Sequence, residues 1–449
     1  MNHCSAPLDI LIQGGRLLTL SEDNAIIEDP LIGIRDGEIL FIAEAHAPLV
    51  SLYAPKEIIH AEGCAILPGL VNTHTHVPMV FFRGLADDLP LMDWLNNHIF
   101  PAERKHVNRE MVHAGALLGI AEMLLSGTTT FCDGYFFESS VAQAAHESGI
   151  RCVAGMGFLD ADVEEVSEDE TRKHAQAAES FLAKWLPERP MITPALFCHS
   201  PYTCSPETIR TIKEVARRHA VPFLIHLAET SNEREIIMNR YGQTPVHHLD
   251  NLGILDDMTV AVHCNWLDEG EIACLAANRV KVSHNPQSNM KLAAGVAPIP
   301  ELLAAGIDVG LGTDGCASNN DHDMFGEMDS GAKLHKVIKK DPSIMDARTV
   351  LTMATMGGAR VLGMDRLIGS IEVGKKADLI IIDLKKPHLT PLYNICSQLV
   401  YAASGADVQT SIINGKIVMR DRRLLTVELE EVMDTVTRIS HDIKHSRSK

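Results

Sequence analysis

Leu67-Pro-Gly-Leu-Val-Asn-Thr-His-Thr-His76 is an apolar, strand-like run that ends in two histidines one residue apart. In a strand, residues i and i+2 project to the same face, so His74 and His76 offer two imidazoles side by side where the run stops. The same pattern recurs downstream as a short β-rich run, a polar loop and a helical stretch. The runs are Gly127–Asp133, Arg151–Met156, Met191–His199, Pro222–Glu229, Met258–His263, Arg279–His284 and Asp308–Asp314, and with Cys64–His76 in front they number eight. Between them, Glu110–Leu125 and Pro206–His219 carry apolar residues at three- and four-residue intervals, the second behind a Ser205 N-cap. Eight strands alternating with helices predict an α/β fold, a (β/α)8 TIM-type barrel.

The ends of the chain read differently. Asp9–Leu20, Ile32–Ile42, Gly369–Asp383 and Val408–Val418 look like hairpin strands with glycine turns, the second around Asp36-Gly37. Strands of one kind at both termini predict a small composite β-sandwich from residues 1–64 and 368–426, flanking a catalytic barrel over 65–367. Residues 427–449 read as a C-terminal helix ending in a basic tail, Lys444 to Lys449.

A chain of 449 residues, 46% hydrophobic, is long enough for one large core and a satellite. Its formal charge of −19, from 40 Lys+Arg against 59 Asp+Glu, argues against a grip on nucleic acid or an anionic membrane. There is no apolar run of about 18 residues and no basic segment leading into an apolar one, so neither a membrane span nor a secretory signal is expected. The cytoplasm is the expected compartment. The ten cysteines are scattered and form no CxxC pair, which reads as reduced, mostly buried thiols.

The histidines carry more information, because several stand where an apolar run ends. The fifth strand ends in His226-Leu-Ala-Glu229, the sixth in His263, the eighth in Thr313-Asp314-Gly315. Burying an unpartnered imidazole or carboxylate costs several kcal/mol, so such coincidences call for a common cause. In this barrel the carboxyl ends of the strands are where chemistry is placed. His74, His76, His226 and Asp314 together supply three nitrogens and an oxygen, the set expected for one divalent ion with a position open for water.

These features resemble the amidohydrolase superfamily: His-x-His after strand one, histidines after five and six, aspartate after eight, and the terminal sandwich. Two-metal members carry a carboxylated lysine at the end of strand four. Here that strand reads Ala195-Leu-Phe-Cys-His199, so the resemblance implies a single ion, Zn2+ first, with Fe2+ or Mn2+ as alternatives. The stretches Arg83–Leu95, Ile99–Glu103, Cys198–Ser205, Ser283–Leu292 and Gly312–Asn320 are similar to the 5′-methylthioadenosine/S-adenosylhomocysteine deaminases.

A divalent ion lowers the pKa of bound water from 15.7 to around 7, which supplies a nucleophile. A ring amine leaves only when the neighbouring ring nitrogen takes a proton. Glu229, a short turn from His226, is placed to give that proton. Asp314 can hold the metal and accept the water proton, and His263 can hydrogen-bond the oxygen that gains charge, its rival role being a second metal ligand.

The resemblance implies the nucleoside half of the substrate. Glu103 matches a ribose-binding carboxylate, His199 a histidine beside the ribose or base, and Trp94 lies in the segment against the apolar 5′ substituent. Members that take S-adenosylhomocysteine place an arginine after strand three, where this chain has Gly155-Met-Gly-Phe-Leu-Asp160. Arg172 could substitute from further along, but Met156 and Phe158 suit a methylthio group better. The expected reaction is deamination of 5′-methylthioadenosine to 5′-methylthioinosine and ammonia, with adenosine second and S-adenosylhomocysteine third. A guanine deaminase, an s-triazine hydrolase or a non-catalytic barrel homologue are the rival readings. Superfamily relatives are often dimers or tetramers, which leaves a homo-oligomer open.

Overall fold

The computed structural model describes residues 6–44 and 52–446. Parts of the expected N-terminal sandwich segment, residues 1–5 and 45–51, and the side chains of the expected basic tail lie outside what is described.

All eight predicted runs form one parallel sheet. Its strands are Leu70–Thr75, Thr128–Tyr135, Arg151–Phe158, Ile192–Cys198, Phe223–Leu227, Thr259–His263, Lys281–His284 and Val309–Leu311, each beside its sequence neighbour. Side-chain and backbone hydrogen bonds close the seam between the first and last. Asn72 Nδ2 donates to Thr313 Oγ1 at 2.8 Å, Thr73 Oγ1 donates to Leu311 O at 2.9 Å, and Asp314 N donates to His74 O at 3.0 Å. The helix Pro206–His219 has the expected bounds, with Ser205 Oγ accepting from Thr208 N at 3.1 Å.

The opening run is two strands. Cys64–Pro68 belongs to the sandwich, Leu70–Thr75 to the barrel, and the chain crosses between them at Gly69, where a Cβ would overlap the Thr129 side chain. Glycine is required by that close approach.

Outside the barrel lie two further sheets. One is four-stranded, ordered Glu38–Glu44, Pro30–Arg35, Ala6–Gln13, Tyr53–His60. The other runs Arg423–Leu424, Lys416–Arg420, Val408–Ile413, Leu379–Asp383, Cys64–Pro68, Arg16–Leu18, Ile26–Glu28, so it joins both ends of the chain. Ile12, Ile32, Ile34, Ile66, Leu379 and Ile412 are fully buried in one apolar cluster that draws on both.

Two of the expected hairpins are different. Gly14 and Gly15 have φ of 83° and 82°, and instead of folding Asp9–Leu20 back on itself they pass the chain from one sheet to the other. Within Gly369–Asp383 only Leu379–Asp383 is a strand, because Gly369 and Gly374, at φ 90° and 89°, break the extended path. The pairs around Asp36-Gly37 and Asn414-Gly415 are hairpins as read. The C-terminal helix spans Leu429–Ser446.

A bidentate ion pair, Arg151 to Asp378 at 2.7 and 3.0 Å with both side chains buried, ties the third barrel strand to the sheet built from both termini. Among the described residues, no helix is long and apolar enough to cross a membrane.

Candidate active site

The strand ends deliver their polar residues to one place. His226 Nε2 lies 3.2 Å from His74 Nε2, and Asp314 Oδ1 lies 3.4 Å from the Nε2 atoms of both His74 and His76. The donor atoms of His74, His226 and His263 lie within 4.8 Å of one another, as do those of His74, His76 and Asp314. The backbone bends sharply to aim these groups: Ala228, His263, Cys264 and Asp314 all have φ between 51° and 75°. Left-handed conformations are costly for non-glycine residues, so the turns that aim these side chains are held by the surrounding structure.

The donor set fits a metal. Burial pushes the His74 pKa down to about 4 and holds His226 well below the ordinary value, so both rings are neutral ligands. Burial works against ionised Asp314, but its bond to His74 and the surrounding imidazoles hold its carboxyl well below the usual range. A tetrahedral ion with bonds of about 2.0–2.1 Å separates its ligand atoms by about 3.3 Å, which matches the spacings here. Two of the four, His76 and Asp314, are oriented from behind. The His76 ring donates from Nδ1 to Gly134 O at 2.6 Å, leaving Nε2 free. Asp314 Oδ2 accepts from Ser288 and Ser318 at 2.7 and 3.0 Å, and Oδ1 from Gly315 N at 2.8 Å.

Glu229 sits across from this cluster, its Oε1 3.8 Å from His263 Nε2. Burial, reinforced by the Asp314 charge, pushes its pKa up to about 8. Its backbone is clamped: Glu233 accepts from the amides of Ala228 and Glu229, each at 2.9 Å.

The cluster opens into a cleft lined by Trp94, Leu91, Ile99, Phe100, Phe158 and Leu159, with Glu103, His199, Glu229 and Asp314 among its polar groups. Glu103, on the helix Phe100–His106, accepts from Tyr135 Oη at 2.6 Å, and burial pushes its pKa up to about 7. His199 stacks edge-on at 4.9 Å from the His226 ring and shares a 2.8 Å hydrogen bond between Nδ1 and Thr203 Oγ1.

The structure thus brings together His74, His76, His226, Asp314, Glu229, His263, Glu103, His199 and Trp94. It does not bring two expected substrate contacts to this cleft. Met156 lines an adjoining groove, two residues back along the strand from Phe158, which reaches the cleft. Arg172 lies on the helix Glu168–Trp185 with 65% of its side chain exposed, ion-paired with Asp169 one turn earlier. That local pair occupies the guanidinium on a solvent-facing surface.

Sequence reading missed Tyr135, Ser288, Ser318, Asn289 and Glu233. Only Glu233 left a local signal, since Thr230-Ser-Asn-Glu233 has the spacing of a capping box. Thr230 does cap Glu233 N at 3.2 Å, but the Glu233 carboxylate holds the Glu229 turn instead of the cap amide.

A model of the amidohydrolase family matches residues 65–418. The chain is 48% identical to a 5-methylthioadenosine/S-adenosylhomocysteine deaminase of Syntrophobacter fumaroxidans, over 98% of this chain and 99% of that one. It is 44% identical to a 5′-deoxyadenosine deaminase of Methanothermobacter thermautotrophicus, covering 92% and 97% respectively. Among solved structures, an adenosine deaminase from Xanthomonas campestris with bound zinc superposes with a TM-score of 0.93 at 37% identity, covering 98% of this chain and all of that one. With a histidine–aspartate cluster at the rim of a parallel barrel, and relatives matching along nearly the whole length, the chain belongs to the amidohydrolase family.

Proposed function

We propose that the protein is a metal-dependent aminohydrolase of adenosine-type nucleosides with a small apolar 5′ end, 5′-methylthioadenosine or 5′-deoxyadenosine. The observation that carries this reading is the cleft itself. Its metal-ligand cluster and Glu229 stand at one end, the Glu103–Tyr135 pair borders it, and its remaining wall is aromatic and aliphatic with no lysine or arginine among the described lining residues. The names of the relatives at 44–48% identity point the same way.

A divalent ion held by His74, His76, His226 and Asp314, zinc by first choice, supplies when bound a Lewis acid that brings water's pKa near 7. The remaining work falls to the chain. Protonated Glu229 gives its proton to the ring nitrogen beside the amine, and Asp314 takes the proton that the attacking water loses. His263 faces the attacking oxygen. Asp314 then passes that proton to the amine, the proton left on the oxygen returns to Glu229, and ammonia leaves while the ring keeps the oxygen. Glu103 accepts from the ribose hydroxyls, Trp94 and Phe158 cover the 5′ group, and His199 stands beside the base.

The tail of S-adenosylhomocysteine carries a carboxylate, and nothing cationic in the described cleft wall answers it. We place it last among these substrates, and a free base such as guanine leaves Glu103 without a partner. The net charge of −19 and nine unpaired described cysteines favour a cytoplasmic enzyme acting on a free nucleoside, with no nucleic acid or membrane partner. The test is ammonia release from 5′-methylthioadenosine, 5′-deoxyadenosine, adenosine, S-adenosylhomocysteine, adenine and guanine. The first two should give the highest kcat/KM, and turnover confined to guanine would overturn the proposal.

A further inference from the structure

The stretch Ser283–Leu292 contributes more than Ser288. Its short helix, Pro286–Lys291, also carries Asn289, which meets His263. We infer that Asn265 and Asn289 are positioning residues that set the tautomer of His263, so that the edge it turns toward Glu229 is a lone pair and not an N–H.

A backbone carbonyl can only accept. Glu229 O accepts from Asn265 Nδ2 at 2.9 Å, which turns Asn265 Oδ1 the other way. That oxygen accepts from Asn289 Nδ2 at 2.8 Å, which in turn directs Asn289 Oδ1 at His263 Nδ1, 2.9 Å away. An amide oxygen cannot donate, so Nδ1 carries the ring proton, and Nε2 of the neutral ring is left as an acceptor. One backbone carbonyl therefore orients two amides and one imidazole in succession. Asn265, Asn289 and His263 are 6%, 1% and 1% exposed, so water does not substitute for any link.

One contact opposes this order. Asn285 Nδ2 lies 3.3 Å from the same His263 nitrogen and suits the other tautomer. It is the longer of the two contacts. Reversing the chain to satisfy it would set an amide oxygen against Glu229 O and leave both buried acceptors unsatisfied.

The consequence lies at Nε2, which is 3.8 Å from Glu229 Oε1 and close to the donor atoms of His74 and His226. The hydrogen bond expected between His263 and the reacting oxygen is one that the neutral ring accepts, from the attacking water. The relay also ties the Glu229 peptide to the same ring, so the two groups on either side of the substrate amine are held in one frame.

The kinetic consequence rests on the deaminase reading; the tautomer does not. In zinc-loaded protein with ¹⁵N-labelled histidine, the His263 signal is identified by its loss in His263→Phe. The parent should show the proton on Nδ1. Asn289→Leu should lose that preference and lower kcat by about 10- to 100-fold, the usual effect of removing a group that orients a site histidine, with KM within about threefold. Asn289→Asp keeps an oxygen facing Nδ1 but loses the donor to Asn265 Oδ1, so it should restore the tautomer and recover only part of the rate. Asn265→Leu, read by the same signal, serves if Asn289→Leu does not fold. A parent proton on Nε2, or a tautomer unmoved in the leucine variants, overturns the inference. If the parent turns over no nucleoside, the deaminase reading fails on its own and the tautomer signals alone decide this one.

Discussion

Replacing Glu229 with glutamine keeps the size and polarity of the neutral carboxyl and removes only the proton it has to give. The residue is 8% exposed, and burial, with the Asp314 carboxylate adding to it, pushes its pKa up to about 8. At pH 7 a group with that pKa is about nine-tenths protonated, the form that a proton donor requires. Its competence is therefore complete well below about pH 8 and is lost as pH rises through that value. Parent kcat/KM should fall about tenfold for each further pH step, and the residual activity of Glu229→Gln should show no such decline. A bound cation favours the carboxylate, so the limb in zinc-loaded enzyme should lie below that of the metal-free carboxyl. We expect Glu229→Gln to retain zinc and to bind nucleoside with KM within about threefold, while kcat drops by about 10²- to 10⁴-fold. The assay is ammonia release across about pH 6 to 10, with metal content measured on the same samples. Burial also pushes Glu233 up to about 8, so Glu233→Gln is the control, and the limb should survive in it. A glutamine variant keeping more than about a tenth of parental kcat, or a parent rate that stays level to the top of the range, would refute the assignment of Glu229 as the acid.

Three other outcomes are expected. Glu103→Ala should cut nucleoside kcat/KM by about 10- to 100-fold through lost charge-assisted bonds to the ribose, without loss of zinc; an unchanged KM would remove Glu103 from the sugar site. Asp378→Ala leaves the buried Arg151 guanidinium unpaired, at about 3–5 kcal/mol, and calorimetry should show Tm lower by about 3–5 °C for a chain this long, with Arg151→Met/Asp378→Leu recovering most of it. Chelation should abolish ammonia release and lower Tm, since an ion present at a thousandfold its Kd contributes about 4 kcal/mol of stability, and added zinc should reverse both; activity in demonstrably metal-free protein would contradict the ligand set.

What was legible in the chain is what a short window encodes. Each barrel strand is an apolar run whose polar terminus marks the rim, so His74, His76, His226, Glu229, His263 and Asp314 could be read one strand at a time. Ser205 marked its helix for the same reason, a cap being a local bond between neighbours. The errors came where a residue's role depends on something distant. Gly14 and Gly15 signal a turn, but whether the chain returns to its own sheet or crosses to another is set by which face needs covering. Arg172 offered a charge of the right sign, and a pairing with Asp169 only three residues away took it.

By itself, the sequence determined the strand count, the donor types and the rim on which they stand, because hydrophobic periodicity and ligand chemistry are properties of consecutive residues. Only the tertiary structure decided how those groups are held. Tyr135 reaches Glu103 from another element, and Asn289 reaches His263 from the next strand's loop. Ser288, from another loop, closes with Ser318 on Asp314 Oδ2. Such bonds form between side chains with no fixed separation along the chain. No local pattern records them, and barrel closure, which brings strand one against strand eight, creates the cavity in which they meet.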